Sequence, residues 1–130
     1  MFEVNGSTST ANCTDGTSST VAVAETIRNV WNGVPPTWGH AGHVQVGIAP
    51  DMPWNTGITV WQPDPVLWTS NPAANKIGRL VNWASAGSLH SNGCHFLMGD
   101  GAVRYVNQNI SDLTLSNICR MADGQTASEF

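Results

Sequence analysis

The chain has 130 residues, the length of one ordinary domain, and we predict a single domain over residues 1–130. Charged residues make up only 11%, with five Lys and Arg against nine Asp and Glu, and the net charge is −4. Binding to nucleic acid or to an anionic membrane surface needs clustered cations, so this composition disfavours both. No stretch approaches the roughly 20 apolar residues that span a bilayer. Residues 1–6 lack the features of a signal peptide, so we expect a soluble chain or a piece of a longer one.

The first segment is almost wholly Asn, Gly, Ser, Thr and Asp, a composition that buries too little surface to hold itself in place. We therefore predict a flexible polar lead-in over residues 1–19. Residues 21–27 follow with β-branched side chains at every second position, a pattern that favours a strand. A short helix is the competing interpretation, because Ala and Glu are good helix formers.

The middle third is dominated by proline and tryptophan. All seven prolines and five of the six tryptophans lie between Trp31 and Pro72, which excludes long helices and central strands there. We predict a loop-rich insertion over residues 31–80. Residues 43–48 and 57–61 keep a period of two within it and are candidate edge or hairpin strands.

The last third has the clearest pattern, and we predict a signature hairpin and helix over residues 88–124. Two alternating runs flank Asp100 and Gly101, which predicts a β-hairpin over residues 93–106 with a type I′ turn and positive φ at both central positions.

A short helix should follow, with Ser111 as its N-cap and Gly124 as its stop. Its apolar stripe is Leu115, Ile118, Cys119 and Ala122. The predicted fold class is α+β, with a mainly antiparallel β-sheet, a C-terminal hairpin, a short C-terminal helix and the long irregular insertion.

Three cysteines, Cys13, Cys94 and Cys119, lie far apart in the sequence and form no CxxC pair, which excludes a zinc ribbon or a thioredoxin-like motif. One disulfide with a spare thiol fits an exported protein. Cys94 and Cys119 also fit as small buried apolar residues. Both interpretations stay open.

Two sequence blocks carry a family resemblance. His90, nine intervening residues and then Asp100 and Gly101 form a His-x9-Asp-Gly signature. Upstream, a second block consists of a turn sequence that contains Asp15 and Gly16, followed by a strand pattern that ends at Glu25. Together the blocks resemble a family of prepilin-type, pseudopilin-like proteins that is abundant in planctomycetes. Its members are similar to type II secretion pseudopilins, in which a long N-terminal helix anchors and polymerises while a β head is displayed outside the membrane.

The resemblance implies a non-enzymatic head domain for surface display, assembly or the binding of a protein or ligand. Its partners would be other proteins or further copies of itself, with a glycan as a further option, and its location extracellular or at the cell surface. The family's leader and apolar helix have no counterpart in this sequence, so we expect a head domain cut from a longer chain or a freestanding relative. No catalytic residues carry over.

The signature residues are predicted to be structural. His90 precedes the first hairpin strand and Asp100 lies at its far end, about 25–30 Å away if the strand is extended, so they should not form a catalytic dyad. We expect Asp100 and Gly101 to make the turn, and the ring nitrogens of His90 to fix the entering loop. Glu25 is expected either to face solvent or to be buried with Arg104 as its partner.

Metal binding is the alternative that would make the protein a small hydrolase. His40 and His43 with His90 or His95 offer nitrogen ligands to zinc, although no Glu lies beside His40 or His43 to act as a base. The residues between His40 and His43 do not favour a helix either. We predict no cofactor.

Calcium is the remaining option, because some pseudopilin heads bind it and it prefers oxygen ligands from loops. The scattered carboxylates that could donate are Asp15, Asp51, Asp64 and Asp112. Their spacing fits solvated turns better than a binding loop.

The tryptophans of the insertion have two interpretations. They fill the core of a segment that is poor in Leu and Ile, or they present a stacking surface for sugars or a partner. The second interpretation would make the protein a secreted carbohydrate-binding module. The candidate surface residues are Trp38, Trp54, Trp61 and Trp68.

Overall fold

The computed structural model describes residues 7–27, 57–63, 75–80, 86–127 and 130. Its strands are β1 (Val21–Ala24), β2 (Trp61–Pro63), β3 (Asn75–Leu80), β4 (Gly93–Met98) and β5 (Val103–Asn107), and its α-helix is α1 (Asp112–Cys119). Two single-turn 3-10 helices, Thr10–Asn12 and Thr17–Ser19, precede β1. The predicted α+β class with an antiparallel sheet and a short C-terminal helix is confirmed. Within the described ranges, no helix has the length and apolar character to cross a membrane.

The main sheet has the strand order β1-β4-β5, and both of its pairings are antiparallel. Strands β4 and β5 form the hairpin that the alternating pattern predicts, and β1 adds to the free edge of β4. A second, two-stranded sheet pairs β2 with β3. The first block of the chain therefore lies directly beside the signature hairpin.

The hairpin turn differs from the predicted type I′ turn. Gly101 alone among residues 99–101 has a positive φ, at 89°, and its N–H donates to the carbonyl of Met98 over 3.0 Å. Met98 N–H in turn donates to the carbonyl of Ala102 over 2.8 Å. This is a three-residue loop that ends on a left-handed glycine, which leaves Asp100 in ordinary backbone geometry.

Strand β1 contains a β-bulge that the sequence pattern did not predict. Val21 pairs with Met98 and Val23 with Leu97, so two steps along β1 match one step along β4. The bulge reverses the alternation, since Ala24 is buried and Val23 is exposed. In a regular strand, Glu25 would share the core face with Val21, but the bulge turns it to the opposite face.

The core lies on one face of the main sheet, where α1 packs with Leu115 and Ile118 fully buried. The strand residues of this cluster are Ala24, Cys94, Phe96, Met98 and Val106, and Ile58 and Ala86 join them from the central part of the chain. The opposite face of the sheet, called the outer face below, carries the side chains of Val23, Glu25, His95, Leu97, Val103 and Tyr105.

Helix α1 begins as predicted and ends earlier. The Ser111 hydroxyl accepts a hydrogen bond from Thr114 N–H over 3.1 Å, which confirms the N-cap. The helix stops at Cys119 because Arg120 is extended, and Ala122 at the end of the predicted stripe is exposed. The chain beyond the helix instead turns back towards Asp15.

The described part of the insertion contains more strand than the sequence predicts, and in a different place. Of residues 57–61, only Trp61 lies in a strand, because Gly57 and Thr59 have φ angles of 125° and 57° that bend the chain. Strand β3 was not predicted, and Gly78 within it has a positive φ of 90°. The candidate strand at residues 43–48 lies outside the described residues.

The polar segment before β1 is folded onto the domain where it is described. Cys13 and Asp15 are buried. Both oxygens of the Asp15 carboxylate accept backbone hydrogen bonds, from Asp123 over 2.8 Å and from Gly124 over 2.9 Å. Asp15 thus fastens the segment before β1 to the segment after α1.

Candidate functional site

A carboxylate and two imidazoles from distant parts of the sequence meet on the outer face, near the start of β4. Nε2 of His90 lies 3.3 Å from Oε1 of Glu25, and Nδ1 of His95 lies 3.3 Å from Oε2 of the same carboxylate. One carboxylate therefore faces two imidazoles, one with each oxygen. We call Glu25, His90 and His95 the outer-face cluster.

Backbone contacts hold Glu25 on both sides. Its N–H donates to the carbonyl of His95 over 3.0 Å, and its carbonyl accepts from Gly87 N–H over 3.0 Å. The Oε2 atom also accepts a hydrogen bond from the backbone N–H of His95 over 2.9 Å. The carboxylate is thus oriented by the edge of the sheet as well as by the two rings.

The loop that carries His90 is fixed by a buried serine. The Ser88 hydroxyl donates to the carbonyl of Gly93 over 2.8 Å and accepts from His90 N–H over 3.0 Å. The Tyr105 hydroxyl donates to the carbonyl of Ser91 in the same loop. These contacts place His90 beside Glu25 through main-chain geometry.

Close packing of two strands supports this end of the sheet. A β-carbon at Gly93 would lie only 2.2 Å from the carbonyl oxygen of Val106, so no larger residue fits there without a backbone shift. The approach of β4 to β5 at this point brings Tyr105 under the loop of residues 88–92.

The two imidazoles are in contact with each other and open to solvent. The His90 and His95 rings meet edge to face with centroids 5.1 Å apart, and His95 stacks in the same manner on Tyr105 at 5.1 Å. The side chains of His90, His95 and Glu25 are 57%, 46% and 32% exposed. Protonated imidazoles would form two exposed ion pairs here, whereas neutral imidazoles with the carboxylate form a set of metal ligands.

Of the two environments predicted for Glu25, the buried pair with Arg104 is wrong, and the side chain is partly exposed. Arg104 pairs with Phe96 across the hairpin and so lies on the core face, while Glu25 lies on the outer face. The Arg104 guanidinium is 5.0 Å from the centre of the Phe130 ring. The sheet separates the two charges, because the bulge in β1 moved Glu25 to the other side.

Cys94, the neighbour of His95 in the chain, points into the core. Burial raises the pKa of its thiol to about 12, and the negative charge of Glu25 adds to the effect. The thiol stays protonated at neutral pH and lies on the opposite face from the cluster. All three cysteines are within the described residues and none of them forms a disulfide; Cys13 and Cys94 are buried and Cys119 is partly buried.

The other predicted site residues that the structure describes lie apart from the outer-face cluster. Hydrogen bonds from backbone N–H groups, first that of Asp123, lower the pKa of Asp15, although burial opposes them. Its oxygens are therefore engaged with the protein backbone. Gly16 turns the chain with φ 94° before the second 3-10 helix, and Asp112 is exposed in the first turn of α1.

Asp100 and Gly101 form the hairpin turn, with Asp100 Oδ1 accepting from Ala102 N–H over 2.9 Å. Trp61 is half-buried at the start of β2. The remaining candidates lie outside the described residues: Trp38, His40, His43, Asp51, Trp54, Asp64 and Trp68.

The sequence did not predict that Glu25 meets His90 and His95. From the sequence, His90 is expected in the loop before the hairpin, both histidines as further ligands for His40 and His43, and Glu25 either in solvent or in a pair with Arg104. One signal was available, because Glu25 lies in the first predicted strand and both histidines flank the start of the hairpin. Using it would have required the pairing of these strands, which no local pattern encodes.

The sheet with its His-x9-Asp-Gly hairpin places the chain in the prepilin-type, pseudopilin-like class of proteins. The chain belongs to the family described as protein of unknown function (DUF1559), whose model matches residues 1–113. The match includes both sequence blocks, all of the main sheet and the whole cluster, and it confirms the resemblance. Proteins of this family are typically secreted. No curated protein and no solved structure matches the chain significantly.

Proposed function

We propose that this is a non-catalytic head domain that acts outside the cell by contacting a second copy of the same chain through the outer face of its main sheet. The family supports this class of role, because the pseudopilins that it resembles display a β head on an assembling subunit. The specific surface is argued from the described side chains.

The observation that carries the proposal is a row of apolar side chains on the outer face. Val23 pairs with Leu97, and Leu97 pairs with Val103, so the three form one line across all strands of the sheet. All three are exposed, Val103 by 65%, and Tyr105 extends the patch on the same face. Contiguous apolar surface of this kind typically marks a protein contact.

The charge of the chain favours contact between copies. Only 14 of the 130 residues are charged, five basic and nine acidic, so two copies repel each other weakly. Glu25 is the acidic member of the outer face, and it is occupied with His90 and His95. The apolar row can therefore approach its counterpart without burying an unpaired charge.

An open hollow lies beside α1, away from the outer face. It has a volume of about 360 Å³ and is lined by Asn107, Asn109, Ile110, Ser111, Thr114 and Phe130. Its two hydroxyls, of Ser111 and Thr114, are 2.7 Å apart, and the Ser111 hydroxyl caps the helix.

Sedimentation velocity over a rising concentration series tests the proposal. The wild-type chain should associate reversibly, and Val103→Lys should shift it to monomer, because a charge would be buried in the contact. Leu113→Lys is the matched control, since Leu113 is 72% exposed but lies on α1. A wild-type chain that stays monomeric throughout, or equal effects of the two variants, would contradict the proposal.

A further inference from the structure

We propose that Glu25, His90 and His95 bind a divalent transition-metal ion of the zinc class on the outer face. One ligand atom from each residue lies within 4.8 Å of the other two. Two imidazole nitrogens and one carboxylate oxygen make up a ligand set that zinc sites use. This proposal does not rest on the contact between copies, because none of its three ligands belongs to the apolar row of Val23, Leu97 and Val103.

The spacing of the ligand atoms suits a small ion. Zinc bonds of about 2.0–2.1 Å in tetrahedral geometry place neighbouring ligand atoms roughly 3.3–3.4 Å apart. His90 Nε2 lies 3.3 Å from Oε1 of Glu25, and His95 Nδ1 lies 3.3 Å from Oε2, the other oxygen of the same carboxylate. Small rotations of the side chains are therefore enough to admit the ion.

The surroundings of the cluster orient its ligands in advance. The hydrogen bond from His95 N–H holds Oε2 of Glu25 and leaves Oε1 directed towards His90. Ser88 fixes the backbone of His90, and Tyr105 packs against the His95 ring. Contacts of this kind around the ligands raise metal affinity, because less freedom is lost when the ion binds.

The chemistry of the donors favours zinc over calcium. Calcium takes six to eight oxygen ligands, whereas two of the three donors here are imidazole nitrogens. The partial exposure of all three side chains leaves the remaining position to water. The bound ion would join the end of β1 to the loop before β4, two segments that no covalent cross-link connects.

The first experiment is a zinc titration of the untagged full chain after chelator treatment, followed by calorimetry. We expect one ion per chain and a rise in Tm of about 10 °C at a free zinc concentration near 100 times Kd. Cobalt in place of zinc should give the intense visible absorption of four-coordinate nitrogen and oxygen ligation. Failure to bind either ion would overturn the proposal.

Variants then locate the site. His90→Ala and Glu25→Gln should each weaken zinc binding at least about 100-fold, since even residues that only support metal ligands contribute 10- to 100-fold. Glu25→Gln keeps an oxygen that can accept from His95 N–H, so its metal-free Tm should stay near that of the wild type.

A double variant, His40→Ala with His43→Ala, is the matched control, because it removes the same number of imidazoles as the cluster contains. It should bind zinc with wild-type affinity. If this control loses the ion while His90→Ala retains it, the cluster is not the site. Self-association of the metal-free chain is measured separately, so failure of this proposal leaves the one on assembly standing.

Discussion

The two ends of strand β4 hold the two parts of the family signature and are built in different ways. At the far end, Asp100 Oδ1 accepts from Ala102 N–H, and Gly101 N–H donates to the carbonyl of Met98. All of these contacts fall within five consecutive residues. This end is made by local turn chemistry.

The start of β4, by contrast, depends on contacts between distant parts of the chain. The Glu25 carboxylate accepts from His95 N–H across 70 positions of sequence. Tyr105 reaches over from β5 to the loop that carries His90. The outer-face cluster exists only when β1, β4 and β5 are assembled, so a metal ion bound there would stabilise the folded state specifically.

The largest expected loss of stability is at the start of β4, the end that depends on contacts between distant residues. Gly93→Ala should lower the free energy of unfolding by about 3 kcal/mol, because the added methyl group would lie 2.2 Å from the carbonyl oxygen of Val106 and force β4 and β5 apart. Urea denaturation followed by circular dichroism measures the loss. The variant should also weaken zinc binding, since the same shift displaces His90 and His95.

Asp15 is a second carboxylate whose hydrogen-bond partners are distant in the sequence, but its role is purely structural. Asp15 accepts from the backbone of Asp123 and Gly124, and these bonds lower its pKa below the ordinary value of 3.8. Because the pKa of Asp15 is lower in the folded than in the unfolded state, ionised Asp15 stabilises the fold. This stabilisation is complete at pH values above the pKa of the unfolded state and is lost as the pH falls through the pKa of the folded state. Stability should therefore decline below about pH 4, and Asp15→Asn should flatten that decline.

Denaturation midpoints from pH 6 down to pH 2 provide the measurement for Asp15. Asp112→Asn is the control, because Asp112 is an exposed carboxylate at the start of α1. An unchanged acid slope in Asp15→Asn would show that other carboxylates govern the acid transition. Zinc affinity at neutral pH should not change in this variant.

At the hairpin turn, replacing a glycine should lower the free energy of unfolding by less than it does at Gly93. A β-carbon at Gly101 meets nothing within 4 Å, so only its φ of 89° opposes a side chain. Gly101→Ala should lose about 1 kcal/mol, and Gly101→Asn less, because Asn tolerates the left-handed region. Equal losses for Gly101→Ala and Gly93→Ala in the same urea experiment would contradict the difference between the two ends.

The same division explains what the sequence could predict. The strand at Val21, the hairpin and the Ser111 cap follow from local patterns, and all three are present. The turn type was missed because an Asp-Gly pair fits both a two-residue and a three-residue loop. At Thr59, the β-branched side chain predicted a strand, but its backbone has φ 57°.

The outer-face cluster could not be predicted, because it depends on a bulge. Simple alternation places Glu25 on the face of Val21, and one extra residue in β1 moves it to the face of His95. Alternating side chains give the period of a strand and contain no information about its register against a strand that lies 70 residues away. Predicting the cluster would have required the register in which β1 pairs with β4.

The smallest expected effect is at Asp100, whose side chain makes one exposed hydrogen bond to its own turn. Asp100→Ala should lose about 0.5–1 kcal/mol of unfolding free energy, and Asp100→Asn, which keeps the acceptor, close to none. Zinc titration of Asp100→Ala should give the wild-type affinity, because the turn lies at the other end of β4 from His95. A large loss of affinity in this variant would mean that the two ends are coupled through the strand, and the His-x9-Asp-Gly signature would then describe one functional unit rather than a local turn and a separate binding cluster.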